Sequence, residues 1–216
     1  MKRLLTSAAL LLCSMAMLAQ FTGTVTDEQG VQYTANDDET TCYVSGHASE
    51  YSSSIVIPES YEGRSVTSIG GGAFWGCRGL TSITLPERLA SIGGRAFRLC
   101  TSLTSITLPD GLTSIGSDAF SGCTSLTSIT LPDGLTSIGE GAFAGCSGLT
   151  SITLSERLTS IGDYAFNGCS GLTSISLPQG LTSIGGYAFN GCSGLTSITF
   201  PNGLSSIGNS AFQNCI

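Results

Sequence analysis

Seven cysteines recur every 23 residues, and cysteines in such a row could form disulfides or bind metal. They are Cys77, Cys100, Cys123, Cys146, Cys169, Cys192 and Cys215. Residues one repeat apart in stacked coils project parallel Cβ atoms about 4.8 Å apart, wider than the roughly 3.5–4.5 Å of a disulfide. Seven is also odd, and no histidines accompany the row to complete a zinc site. We therefore predict a ladder of reduced, buried thiols, in which Cys42 is left unpaired or bonds to Cys77.

Two further patterns could supply catalytic or metal-binding groups. His47 is the single histidine, and no serine–acid pair lies near it in sequence. Catalysis needs unlike groups that converge, whereas a repeat produces rows of identical groups, so we predict a loop histidine and no enzyme. An acidic row at one repeat position could bind calcium through oxygen ligands, but the glycine–aspartate spacing of calcium β-rolls is absent. We predict no metal and no cofactor, and solvated carboxylates at Glu87, Asp110, Asp133 and Glu156.

Arginine and tyrosine are enriched at binding hot spots, which makes two groups of residues candidate partner contacts. Four basic residues concentrate in the first repeats, at Arg78, Arg88, Arg95 and Arg98. Two tyrosines share one position in adjacent repeats, Tyr164 and Tyr187. A third candidate is a regular array of hydroxyl groups. Leucine-rich-repeat arrays usually curve, and a curved face fits an ice surface poorly, so a glycan is the better candidate ligand. The array comprises Thr81, Ser82 and Thr84 with their repeats Ser105, Thr107, Ser128 and Thr130.

All these residues belong to a repeat that must position them. Ala-Phe pairs recur seven times at intervals of 23 residues, from Ala73-Phe74 to Ala211-Phe212. A complete unit, from Leu103 to Ser125, is LTSITLPDGLTSIGSDAFSGCTS. Eight apolar positions per unit bury too little surface for one unit to fold alone, so stacked units must complete one another's core.

Alternation within the unit predicts short strands. Leu80–Leu85 is expected to be a strand with Ile83 facing inward and its serine and threonine facing outward. Pro86 ends that strand, because proline cannot donate to a ladder. Leu89–Gly93 is expected to be a second extended piece, followed by a tight turn at Ala96-Phe97. No window is long and helical, so the sequence predicts a mainly β solenoid.

The first residues indicate export, and the net charge limits which partners the protein can bind. Lys2 and Arg3 precede the apolar stretch from Leu4 to Leu18, and we predict a signal peptide over residues 1–19. We do not expect lipid attachment at Cys13, because a bulky leucine directly precedes that cysteine. No second apolar segment exists, so we expect an exported protein without a transmembrane segment. Formal net charge is −7, and −9 without the two basic residues of the leader, which excludes nucleic acid as partner.

The string LxxIxLPxxLxxIGxxAFxxC, which recurs from Ser65 to Cys215, resembles the BspA type of leucine-rich repeat. The preceding segment is also similar to such proteins: Gly30–Tyr33 and Thr41–Val44 look like hairpin strands, and Ile55–Pro58 looks like the first repeat strand. A five-residue insertion in the first coil falls at about residues 61–64. The resemblance implies a surface protein that adheres to host matrix proteins, epithelial cells or other bacteria.

The sequence thus predicts a mainly β leucine-rich-repeat solenoid of stacked 23-residue coils with an N-terminal β-hairpin-like cap. The expected divisions are a signal peptide at 1–19, a capping segment at 20–64 and a solenoid at 65–216. We expect a secreted or cell-surface protein that binds a host-matrix or bacterial surface protein. A passive lattice protein and a glycan-binding module are the alternatives.

The last unit carries no evident polar cap. Its apolar ladder has the composition of an ordinary internal unit: Leu195, Ile198, Phe200, Leu204, Ile207 and Phe212. An uncovered ladder exposes apolar groups and unpaired strand edges. We predict that this coil frays, pairs with another chain or continues in a longer protein.

Overall fold

The computed structural model describes residues 23–38, 40–47 and 53–215. The predicted signal peptide and Cys13 lie outside these ranges. The described chain begins with an antiparallel meander of β1 (Thr24–Thr26), β2 (Val31–Ala35) and β3 (Thr41–His47). The predicted hairpin is therefore confirmed, and β1 is an additional strand. Asp27 fixes the first turn, because its Oδ1 accepts from the amides of Gln29 and Val31, each at 2.9 Å.

The meander joins the solenoid through β3, which pairs in parallel with β6 (Arg64–Ile69). The predicted insertion is a hairpin that β5 (Ser60–Tyr61) forms with the start of β6. Its turn residue Gly63 has a φ of 77°, a conformation that glycine adopts without strain. Tyr61 stacks on Tyr33 at a ring-centroid distance of 4.2 Å. The inserted hairpin thereby packs on the cap.

Two ladders of short parallel strands run along the solenoid. In each ladder a strand lies beside the equivalent strand of the neighbouring coil, one repeat away in sequence. The first predicted repeat strand is β4 (Ser54–Val56), which pairs with the strand that follows Leu80. The remaining strands are β7 (Ser82–Thr84), β8 (Ser91–Ile92), β9 (Ser105–Ile106), β10 (Ser114–Ile115), β11 (Ser128–Thr130), β12 (Ser137–Ile138), β13 (Ser151–Thr153), β14 (Ser160–Ile161), β15 (Ser183–Ile184) and β16 (Ser206–Ile207). They alternate between the two ladders up to β14, and β15 and β16 both belong to the second. The first ladder consists of the paired groups β4-β7-β9 and β11-β13, and the second of β6-β8-β10 and β12-β14-β15-β16. Within each ladder the two groups lie side by side. No helix occurs in the described ranges, and the predicted β solenoid is confirmed.

The core is a set of ladders of identical side chains. The phenylalanines from Phe74 to Phe212 stack in sequence, with ring centroids 5.2–5.5 Å apart. The eight apolar positions of the unit that starts at Leu80 are all buried. Each ring from Phe97 to Phe189 lies between two others, so water is excluded from both its faces, and the stack adds to the apolar core that the leucine and isoleucine ladders form.

The cysteine ladder is reduced, as predicted. None of the cysteines in the described ranges forms a disulfide. Each thiol from Cys100 onward donates to the carbonyl oxygen of a phenylalanine 26 residues earlier, at 3.1–3.2 Å. The alternative Cys42–Cys77 disulfide is not formed, because Cys42 is buried beside β6 and donates to the Arg64 carbonyl oxygen at 3.7 Å.

Candidate binding surfaces

The hydroxyl face carries the outward serines and threonines of the first strand ladder. Ser105, Thr107, Ser128 and Thr130 are exposed and line a shallow groove of about 410 Å³, with Asp110 at its edge. A similar groove of about 310 Å³ recurs three coils further on. At the start of the face, Thr84 is exposed, whereas Ser82 is half-buried and its hydroxyl bonds that of Ser54 at 3.0 Å.

One part of the predicted hydroxyl array also bridges neighbouring coils. Thr81 Oγ1 donates to the Ser53 carbonyl oxygen at 2.6 Å, and Thr104 Oγ1 donates to the Thr81 carbonyl oxygen at 3.2 Å. Thr127, Thr150 and Thr173 repeat this bond to the preceding coil. These threonines are exposed, and their hydroxyl oxygens keep lone pairs that can accept a hydrogen bond from a ligand.

The four predicted arginines do not all lie on one turn. Arg95 Nε and Arg98 Nη1 both approach Asp118 Oδ2, at 3.5 and 3.2 Å. Arg78 is exposed on the turn that precedes Leu80, whereas Arg88 is exposed on a different turn, which links β7 to β8. Arg88 is thus separated by seven to ten residues along the chain from the other three arginines.

Tyr164 and Tyr187 form the predicted pair. Their rings stack at a centroid distance of 5.1 Å with planes 1° apart. Tyr164 is 42% exposed, and Tyr187 is half-buried. The 23-residue register brings the two side chains together on the outside of the solenoid, where they present an aromatic surface that the core does not use.

These charged and aromatic residues share one unusual backbone position, which we call the left-handed row. Every member has a positive φ between 55° and 66°: Gly72, Arg95, Asp118, Gly141, Tyr164, Tyr187 and Ser210. A side chain in this conformation costs roughly 1–2 kcal/mol. Glycine avoids that cost in two coils, so the turn does not require a side chain. At Gly141 an added Cβ would lie 2.6 Å from Asp118 Oδ1, so that glycine also leaves room for the carboxylate.

Two residues that sequence analysis missed lie beside this row. Trp75, the only tryptophan, is 55% exposed at a position one repeat before Arg98. Leu99 has a φ of 60° where five other coils place glycine. The signals available in the sequence were the large ring of Trp75 at the variable position of the Phe-x-Gly-Cys pattern and the replacement of the glycine of that pattern by Leu99.

The buried thiols offer no reactive centre. Burial raises the pKa of the Cys192 thiol to about 12 and moves the pKa of Cys146 upward as well. A thiol that stays protonated is a poor nucleophile and metal ligand. His47 ends strand β3 and is not the loop residue predicted; its Nδ1 lies 3.9 Å from Cys77 Sγ. Desolvation by burial lowers the pKa of His47.

The predicted acidic row is solvated. Glu87, Asp110, Asp133 and Glu156 are all exposed. Among the residues described, no three histidine, cysteine, aspartate or glutamate side chains are grouped so that they could hold a metal ion. In the same ranges no helix has the length and apolar character needed to cross a bilayer.

Stacked 23-residue coils, buried leucine and isoleucine ladders and exposed strand faces define a leucine-rich-repeat protein. The profile of the BspA type leucine rich repeat region matches residues 48–126 and 91–216, with six copies. The chain belongs to this family. A comparison with curated protein sequences finds no match.

Solved structures with the same architecture come from several bacteria. A leucine-rich-repeat protein of T. pallidum is 32% identical, with a TM-score of 0.83 and 88% of each chain covered. One from Eubacterium ventriosum is 25% identical, with a TM-score of 0.76, and covers 91% of this chain and 51% of its own. A leucine rich cell surface protein from Faecalibacterium prausnitzii is 30% identical with a TM-score of 0.60, and covers 82% and 54%. The chain thus spans about half the length of the latter two.

Proposed function

We propose that this protein is an exported, non-enzymatic interaction module that binds a protein ligand and mediates adhesion to host-matrix or bacterial surface proteins. Membership in a repeat family of interaction modules supports binding. The leader-like sequence of residues 1–19 supports export, and one structural relative is itself a cell surface protein. Protein partners are favoured because exposed arginine and tyrosine side chains are the usual centres of protein interfaces.

The observation that carries this proposal is the set of side chains in the left-handed row. Arg95, Tyr164 and Tyr187 hold a left-handed backbone conformation at an energetic cost that glycine does not pay at the equivalent positions Gly72 and Gly141. Their side chains are largely outside the core, so they return little packing energy to the repeat. Strained residues that the fold does not need concentrate at sites of function.

Capture experiments with the purified protein as bait test the proposal. The bait should retain a specific protein from host-matrix extract or bacterial lysate. A Tyr164→Gly/Tyr187→Gly variant should lose that capture while its free energy of unfolding stays within about 1–2 kcal/mol of the parent, because lost stacking offsets relieved strain. Ser210→Gly is the matched control, since it changes the same row without removing an aromatic ring. Undiminished capture by the tyrosine variant would contradict the role of this row.

A glycan is the second candidate ligand, and the groove that Ser105, Thr107, Ser128 and Thr130 line is the observation that favours it. Hydroxyls and the Asp110 carboxylate supply hydrogen-bonding groups, but no aromatic ring lines the groove. Glycan capture that Ser128→Val/Thr130→Val abolishes would favour this function. A passive lattice is distinguished by size measurements over a dilution series, because a lattice protein assembles without any ligand.

A further inference from the structure

Four residues at the start of the solenoid form what we call the Arg–Trp patch: Trp75, Arg78, Arg95 and Arg98. Trp75 and Arg98 occupy the same repeat position in adjacent coils, and the Gly76 amide donates to the Arg98 carbonyl oxygen at 2.8 Å. Arg78 follows three residues after Trp75 on an exposed turn. The coil register therefore places an exposed indole beside guanidinium groups.

Asp118 holds two of these guanidiniums in place. Each arginine contacts Asp118 Oδ2 through one nitrogen, and neither forms the paired contacts of a bidentate bridge. Arg98 Nε is buried without a hydrogen-bond partner. The patch contains three arginines, of which Arg95 and Arg98 share the single carboxylate of Asp118. It is therefore cationic, although the whole chain carries a formal charge of −7. The guanidinium N–H groups that do not contact Asp118 remain as donors for the acceptor groups of a ligand.

The backbone around the patch is strained on both sides of Arg98. Arg95 and Leu99 have φ values of 59° and 60°, so this coil fills both of its left-handed positions with large side chains. Leu99 is half-buried, and its Cδ2 would lie 2.7 Å from a Cβ at Gly122, which shows that it leans over the next coil. Most other coils place glycine at the position of Leu99. The departure from the repeat is therefore concentrated where the indole and the arginines meet.

We propose that the Arg–Trp patch binds an acidic, apolar-containing segment of a protein partner. Carboxylates of the segment would accept hydrogen bonds from Arg78, Arg95 and Arg98, and an apolar side chain would cover Trp75. A polypeptide is favoured over a sulfated glycan, because tryptophan and arginine are the side chains most enriched at the centres of protein–protein interfaces. This inference rests on the proposed function and names the chemistry of the ligand.

A defined probe tests the patch without knowledge of the natural partner. A fluorescein-labelled poly(Glu, Tyr) copolymer should bind the full protein, and binding should raise the anisotropy of the label. The rise should be smaller at higher salt concentration, because salt screens the attraction between charges. Trp75 is the only tryptophan, so a change in its emission on binding reports contact at this patch. Heparin and polylysine serve as the alternative probes. Binding of heparin with no binding of the acidic polypeptide would overturn the proposal.

Matched variants localise the binding. Trp75→Ala and Arg98→Gln should each weaken binding of the copolymer at least about tenfold, as expected of central contacts. Arg88→Gln removes the same charge from another turn and should change affinity less than about twofold. Equal losses for Arg88→Gln and Arg98→Gln would show that only net charge matters and would refute the site. Melting curves for every variant establish that the protein remains folded.

Failure of this site and failure of the proposed function give different results. If the Tyr164→Gly/Tyr187→Gly variant loses capture of a partner while Trp75→Ala retains it and the copolymer does not bind, the protein is an interaction module but the Arg–Trp patch is not its acidic-segment site. If the copolymer binds at Trp75 but the protein captures nothing from extract or lysate, the proposed ligand site is supported and the proposed adhesion function is contradicted.

Discussion

The central coil, Leu126–Gly148, and the last described coil, Leu195–Cys215, have nearly the same sequence but very different burial. Ile138 and Phe143 are 3% and 0% exposed, whereas Ile207 in the last coil is 48% exposed. Phe200 is 42% exposed there, although the equivalent residue of the central coil, Leu131, is buried. An apolar position in this fold is therefore not buried by its own coil.

The comparison shows that each coil is completed by the coil that follows. Phe143 stacks between Phe120 and Phe166. Phe212 stacks on Phe189 on one side only, and Phe200 contacts it edge-on at 5.6 Å. Stability in such a solenoid is close to a sum of nearest-neighbour interfaces, so a coil with one neighbour loses about one interface. The central coil and the last described coil therefore differ mainly in burial and little in composition.

Hydrogen exchange should show the largest difference between the two coils. In a dilute sample, we expect amides of Leu126–Gly148 to exchange at least about a thousandfold more slowly than those of Leu195–Cys215, because local opening of an end coil costs far less than global unfolding. Mass spectrometry of exchanged fragments measures both. Equal protection in a monomer would show that the last coil needs no second neighbour.

Deletion of the core ring should be the next largest effect. Phe143→Ala opens a cavity between two rings and should destabilise the protein by about 3–5 kcal/mol. Phe212→Ala should cost roughly half as much or less, because that ring is half-buried. Denaturant unfolding gives both values, with Thr130→Ala as the exposed control, expected within about 0.5 kcal/mol of the parent. A Thr130→Ala loss comparable to that of Phe143→Ala would mean that the strand faces are reversed.

Thiol reactivity should follow the same division. All eight cysteines from Cys42 to Cys215 should react in denaturant, since none is disulfide-bonded. In the native protein Cys215, which is half-buried, should react before Cys146, because full burial raises the pKa of Cys146 and hides its thiol. Cys77 is the other half-buried cysteine, so Cys215→Ser should reduce the fast phase with a disulfide reagent and Cys77→Ser/Cys215→Ser should remove it. A fast phase that survives in the double variant would contradict this assignment, as would recovery of disulfides from the native chain.

The hydroxyls between coils should contribute the smallest effect. Thr150 Oγ1 donates to the Thr127 carbonyl oxygen at 3.1 Å, whereas Thr153 is exposed on the hydroxyl face. Thr150→Val should cost about 0.5–1.5 kcal/mol, the usual net value of one hydrogen bond. Thr153→Val tests the same substitution without that bond and should cost less. Equal stability of the two variants would show that the hydroxyl contact between coils adds nothing.

The 23-residue period determined most of the fold without reference to any structure. A constant period means that each coil is nearly a translated copy of the previous one, so residues one period apart must stack. The inward positions, the strands around Ile83 and Ile92, and the reduced cysteine ladder follow from that single fact. The hairpin of the cap was expected from the resemblance of residues 30–64 to the entry segment of BspA-type proteins.

Tertiary structure decided what the outer surface presents. The period shows that Arg95, Asp118 and Tyr164 share a position, but not that this position has a left-handed backbone or that Asp118 reaches two arginines. It does not show that Thr81 bonds the preceding coil. Such contacts depend on turn geometry and on the reach of side chains across neighbouring coils. Since solvent tolerates many residues outside the core, the pattern that specifies the ladders leaves the binding surface open, and only the packed coils place its side chains together.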